Sequence, residues 1–142
     1  MFRVTFSLNT AMKMMLYIYS KINIHHRLNM QIEKIAQTFS LGRFNSVFQY
    51  LTEDIEWHII GEQHLKGMDN IINHCNLIQD YFNKTPHKFT IHAQYQSSNT
   101  VIIQGYAEFQ HSNKNTIIQA CDIYTFNQLQ QLTLIESYCI TT

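Results

Sequence analysis

The chain has little charge, few cysteines, a single proline and no long apolar run. Charged residues are 14% of the 142, against 45% hydrophobic. That balance excludes the disordered class, and the length suits one domain with one core. Lysine plus arginine equals aspartate plus glutamate, 10 of each, and no basic stripe appears. A nucleic-acid partner therefore has no electrostatic footprint. Near-zero net charge also gives weak protection against self-association, which fits an oligomer. The three cysteines, Cys75, Cys121 and Cys139, are odd in number and widely spaced. This argues against a disulfide framework and against a zinc knuckle, and favours buried, reduced thiols in a cytoplasmic protein. The eight histidines are scattered, with no pair at a ligand spacing on a clear helix, so no metal is expected. The apolar run Met14–Tyr19 is too short to span a bilayer, and no small-x-small cleavage site marks a signal peptide. No membrane partner is expected.

Residues 1–29, in which Arg3 precedes the apolar stretch, read in one of two ways. They are an N-terminal extension, as from an upstream start codon, or a helix or strand packed on the domain or on a second subunit. The domain itself is expected over residues 30–142. From Gln31, the residues Ile32, Ile35, Ala36 and Phe39 recur at helical spacing, and Gly42 stands where that helix should end. Asn45 can cap a short second helix carrying Val47, Phe48 and Leu51 inward. Thr52, Glu53 and Asp54 form its polar exit.

Ile55 to Ile60 reads as a strand, with Ile55, Trp57 and Ile59 on one face and Glu56, His58 and Ile60 on the other. A loop punctuated by Gly61 and Gly67 follows. The next helix carries Met68, Ile71, Ile72, Cys75, Ile78 and Phe82 on one side, with Asp69 in its first turn. Pro86 stops it. The rest is a meander. Lys88 to Tyr95 alternates Phe89, Ile91, Ala93 and Tyr95 against Lys88, Thr90, His92 and Gln94. Strands over 101–110, 116–126 and 132–140 follow, joined by polar turns at Ser97–Asn99, Ser112–Asn115 and Asn127–Gln130. Helices first and a long sheet afterwards give an α+β fold. The curved antiparallel sheet wraps around the N-terminal helices as a cone with an internal pocket, a natural small-molecule site.

This order of elements resembles the nuclear transport factor 2-like superfamily, and within it the SnoaL-like proteins. The resemblance runs from about Gln31 to the C-terminus. It is carried by IAQTFSLGRFNSVFQYL, by DIEWHIIG, by LKGMDNI and by the late strand DIYTF. Ketosteroid isomerase, of the same superfamily, implies a role for Asp122, which matches that family's oxyanion-binding Asp. Its general-base Asp falls on Ile59 and its helix tyrosine near Ile35, so that mechanism lacks two of its groups here. SnoaL-like cyclases are similar in using a pocket carboxylate, and Asp122 is the acid that fits. The acid, base and polar sets of limonene-epoxide hydrolases and scytalone dehydratase have no evident match.

Asp122, between Cys121 and Ile123, is thus the candidate catalytic acid. On the inward face it would be desolvated, which raises its pKa and makes the protonated form a hydrogen-bond donor. The alternative is an acid bonded to a backbone amide or facing solvent. Trp57, Ile59, Phe109, Tyr124, Ser137 and Cys139 are the candidate ligand-binding residues. Trp57 is either a flat wall with an indole donor or core filler. Cys139 lacks a nearby base and reads as an inert thiol. Glu56 and His58 point away from the pocket. Tyr106, Glu108, Glu136 and Tyr138 fall on the outer sheet face, through which family members commonly form homodimers. Two functions are compatible with these residues. One is a cofactor-free isomerase, cyclase or hydrolase acting on a small apolar molecule. The other is a non-catalytic ligand-binding or dimeric scaffolding module.

Overall fold

The computed structural model describes residues 10–142, and within them the side chains outside 24–30. The opening segment with Arg3 lies outside the described residues. Helix α1 spans Thr10–Ser40 and α2 spans Met68–Lys84. The strands are β1 Leu51–Ile59, β2 Gln63–Lys66, β3 His87–Ser97, β4 Thr100–His111, β5 Lys114–Phe126 and β6 Leu132–Thr141. They form one six-stranded sheet in the order β2-β1-β6-β5-β4-β3. The α+β cone is as the sequence predicts, with one correction. β1 runs parallel to β6 while every other pair is antiparallel, so the sheet is mixed, and it is not closed.

The stripe Ile32, Ile35, Ala36 and Phe39 is buried, and α1 packs on β4 and β5. Each large apolar side chain buried there stabilises the fold by about 1.5–3 kcal/mol. α1 ends in a Schellman arrangement: Gly42 N donates to the Phe39 carbonyl at 2.9 Å and Arg43 N to the Thr38 carbonyl at 3.1 Å. Gly42 takes φ +72, and a Cβ there would sit 2.9 Å from the Phe82 ring, so glycine meets both a backbone and a packing demand. The unbroken course of α1 through residue 30 takes in Met14–Tyr19, whose side chains are exposed.

Several local readings need correction. The expected short helix after Gly42 is a pair of 3₁₀ turns, Phe44–Ser46 and Phe48–Tyr50. Asn45 lies inside the first turn, which has no side-chain cap. Thr52, Glu53 and Asp54 already belong to β1. The loop between Gly61 and Gly67 contains β2, which folds back on β1 through a turn at Gly61. Along β3 the register shifts between Ile91 and Ala93, so the period-2 pattern flips. Ala93 and Tyr95 pair with Gln104 and Ile102 on the outer face, and Tyr95 is exposed. Gln94 turns inward, and its side chain accepts a hydrogen bond from Gln37 of α1 at 2.6 Å. Opposite the bulge stands Gly105, where a Cβ would fall on the Thr90 carbonyl oxygen. Only glycine fits that close approach of two backbones.

Candidate functional site

β5 carries Asp122, Tyr124 and Phe126 on the concave face, two residues apart as the pleat requires. Asp122 pairs with Ser137 on β6 and with Ile103 on β4. α1 delivers Ser40, its last residue, to the same point. Ser40 Oγ donates to Asp122 Oδ2 at 3.1 Å and lies 2.6 Å from the Tyr124 hydroxyl, which itself donates to Asp122 Oδ2 over 3.4 Å. Burial pushes the Asp122 carboxyl above the ordinary carboxylate range, and hydrogen bonds from Ser137, Ser40 and Tyr124 partly offset this. The Tyr124 hydroxyl is driven well up, first by burial and then by the charge on Asp122. It is a neutral donor at any ordinary pH.

Asp122 lines a half-open cavity of about 430 Å³ between α1, α2 and the concave face of the sheet. That volume suits a small organic molecule. Trp57, Ile59, Phe109, Ser137 and Cys139 also line it. The details differ at three of the named positions. Trp57 is 6% exposed and its Nε1–H is already committed, donating to Ser137 Oγ at 3.0 Å. It brings its ring to the cavity, not a free donor. Tyr124 is fully buried and does not line the cavity; its hydroxyl meets Ser40 and Asp122. Cys139 is exposed at the rim rather than buried, with its thiol raised to about 11 by partial burial and by Asp122 and Glu62. It stays protonated near neutrality and is a poor nucleophile. Of the other cysteines, Cys75 is buried and pushed up to about 12 by burial, while Cys121 is half-buried on the outer face.

The sequence reading missed several polar groups of the cavity, three of which bear on its chemistry. Ser40 is one. The others are Glu62, in the turn between β1 and β2, and His74 on α2. His74 meets Trp57 edge to face, with ring centroids 5.4 Å apart. Burial lowers its pKa, with Glu62 opposing, so its imidazole is neutral near pH 7 and able to accept a proton. Its position carried a signal: it lies three residues after Ile71 and four before Ile78, on the flank of the α2 apolar stripe. Away from this acid and base, aromatic side chains such as Tyr81, Phe82, Phe89 and Phe109 make the wall apolar. The arrangement can hold an apolar molecule with a hydrogen-bonding oxygen at one end, beside a proton donor and a proton acceptor.

No protein-family model matches the chain, and no curated protein does. Among solved structures it is similar to an LEH-like epoxide hydrolase of M. tuberculosis, at 14% identity over 78% of this chain and 84% of that one, with a TM-score of 0.62. It is also similar to a protein of Jannaschia sp. described as a SnoaL-like polyketide cyclase, at 11% identity over 78% and 85%, with a TM-score of 0.64. At these identities the likeness is of fold alone. An NTF2-like protein of unknown function from Cytophaga hutchinsonii is similar in sequence too: 33% identity over 76% of this chain and 95% of that one, with a TM-score of 0.71. This likeness, spanning nearly the whole of the Cytophaga chain, joins the cone and its lining as evidence that the protein belongs to the NTF2-like family.

Proposed function

We propose that the cone is a small-molecule active site working by proton transfer without a metal or organic cofactor. In it Asp122 is the acid and His74 the base. The observation that carries this reading is the pairing of a carboxyl whose pKa is raised with an imidazole whose pKa is lowered, in one apolar cavity. Environments that push two groups in these directions favour the protonated form of the acid and the free form of the base. The substrate would be an apolar molecule whose oxygen gains negative charge, such as an enolisable ketone or an epoxide. Asp122, held by Ser40 and Tyr124, would donate to that oxygen. His74 would take a proton from carbon or from water. Trp57, Ile59 and Phe109 would hold the apolar body, with Ser137 fixing both Trp57 and Asp122. Folds shared with a SnoaL-like cyclase and an LEH-like hydrolase are compatible with an isomerase, cyclase or hydrolase.

The test is a panel of small apolar ketones and epoxides, followed by Trp57 fluorescence for binding and by product analysis for turnover. Turnover by the wild type, lost in Asp122→Asn and His74→Gln with binding retained, supports the reading. Turnover unchanged in both variants contradicts it.

A second reading has its own support. Tyr95, Tyr138 and Ile140 are exposed on the outer sheet face, so a ligand-binding or scaffolding module could assemble there as a homodimer. Binding without turnover, together with a dimer by light scattering, would favour it. On either reading the domain spans residues 30–142 with 1–29 as an extension, since the buried core among the described residues starts at Ile32. No helix among the described residues is long and apolar enough to cross a membrane, which is compatible with a cytoplasmic location.

A further inference from the structure

On the outer face of the sheet, away from the cavity, β1 and β2 bring together a carboxylate and two imidazoles. Glu56 and His58 stand two residues apart on β1 and so share a face. His64 lies directly opposite His58 in the register of β2. Both imidazole Nε2 atoms converge on one oxygen, Glu56 Oε2, His58 at 3.0 Å and His64 at 2.6 Å. The rings are 3.7 Å apart between centroids, and all three donor atoms lie within 4.8 Å of one another. We propose that Glu56, His58 and His64 form a binding site for a divalent transition-metal ion, of which Zn²⁺ is the expected occupant.

The donor set decides the metal. Two imidazoles and a carboxylate suit zinc and its neighbours, whereas Mg²⁺ and Ca²⁺ prefer oxygen alone. The geometry needs little change. Donors about 2.0–2.2 Å from one tetrahedral ion are roughly 3.4 Å from each other. From their present hydrogen bonds to Glu56 Oε2, His58 Nε2 at 3.0 Å must therefore move off by about 0.4 Å and His64 Nε2 at 2.6 Å by about 0.8 Å. The side chains are 36–39% exposed, so they can make that adjustment and an ion can reach them. Three protein donors leave one position open, towards solvent or towards Glu136, the β6 neighbour of His58. Lys66, opposite Glu56 in the register, is a charge that opposes a cation, and the two form no ion pair within 4 Å. Such an ion would clip the edge strand β2 to β1, whose inward side chains Trp57 and Ile59 line the cavity. The histidines escape sequence inspection because the spacing that joins them crosses a hairpin whose second strand reads as a loop.

The full chain, freed of metal with a chelator, should be titrated with ZnCl₂ by calorimetry and with Co²⁺ by visible absorption. One equivalent of Zn²⁺ is expected to bind, with a Co²⁺ spectrum of low coordination number and a rise in melting temperature with added Zn²⁺. His58→Ala, His64→Ala and Glu56→Gln should each weaken binding at least about 10-fold. Circular dichroism verifies that each variant folds, and any one of them suffices. Absence of saturable binding would overturn the site. So would equal affinity in the folded variants, or binding that disappears in Cys139→Ser instead.

Discussion

Ser137 is the hinge of the candidate site, and removing its hydroxyl has consequences that can be worked out. Ser137 is 5% exposed and Trp57 6%. In Ser137→Ala the Trp57 Nε1–H loses its 3.0 Å acceptor. A buried donor left without a partner costs about 1–3 kcal/mol. For a domain of this size that lowers the melting temperature by about 3–5 °C per kcal/mol. The same hydroxyl also helps hold the Asp122 pKa down, so the carboxyl should move further above the ordinary range. Trp57→Phe provides the control. It keeps an aromatic ring but has no N–H, so Ser137→Ala in that background should cost about 1 kcal/mol less. Urea denaturation followed by far-UV circular dichroism measures all four proteins, since the control lacks the single tryptophan. Equal cost of Ser137→Ala in both backgrounds would refute the claim that this hydrogen bond organises the site.

Further predictions concern the acid, the base and the backbone. The raised pKa of Asp122 means that the folded state holds its proton longer than the unfolded chain. Wild-type stability should therefore fall as pH rises from about 3.8 towards that raised value, and Asp122→Asn should lack this slope and be equal or more stable at neutral pH; pH-dependent denaturation checks it. His74 has the opposite sense: its lowered pKa makes the folded state bind fewer protons, so stability should drop as pH falls below about 6.5, and His74→Gln should remove that drop. Gly105→Ala drives a Cβ onto the Thr90 carbonyl and should destabilise by about 1–3 kcal/mol or more, read by thermal melting.

What could be read from the sequence follows from the range of the interactions concerned. The α1 stripe, the α2 stripe and Asp122 among alternating apolar residues are periodic signals, and the structure has them where the periodicity put them. β2 escaped because Gln63–Lys66 is four residues, mostly polar, without a β-branched side chain. The bulge near His92 reverses Ala93 and Tyr95, yet its evident trace lies across the sheet at Gly105. Whether β6 runs parallel or antiparallel to β1 is a contact between residues some eighty apart, which no local pattern encodes. The candidate site was half visible for the same reason. The residues on strands followed from alternation, whereas Ser40 and His74 reach the cavity from helices whose docking only the tertiary fold defines.

The most direct test follows the carboxyl carbon of Asp122 by NMR in ¹³C-labelled protein, assigned by its loss in Asp122→Asn and titrated with pH. A carboxyl shielded in the cavity and bonded to Ser40, Tyr124 and Ser137 should titrate above every surface carboxylate and respond to a bound apolar ketone. Titration alongside the surface aspartates, with no response to such a molecule, would contradict the account.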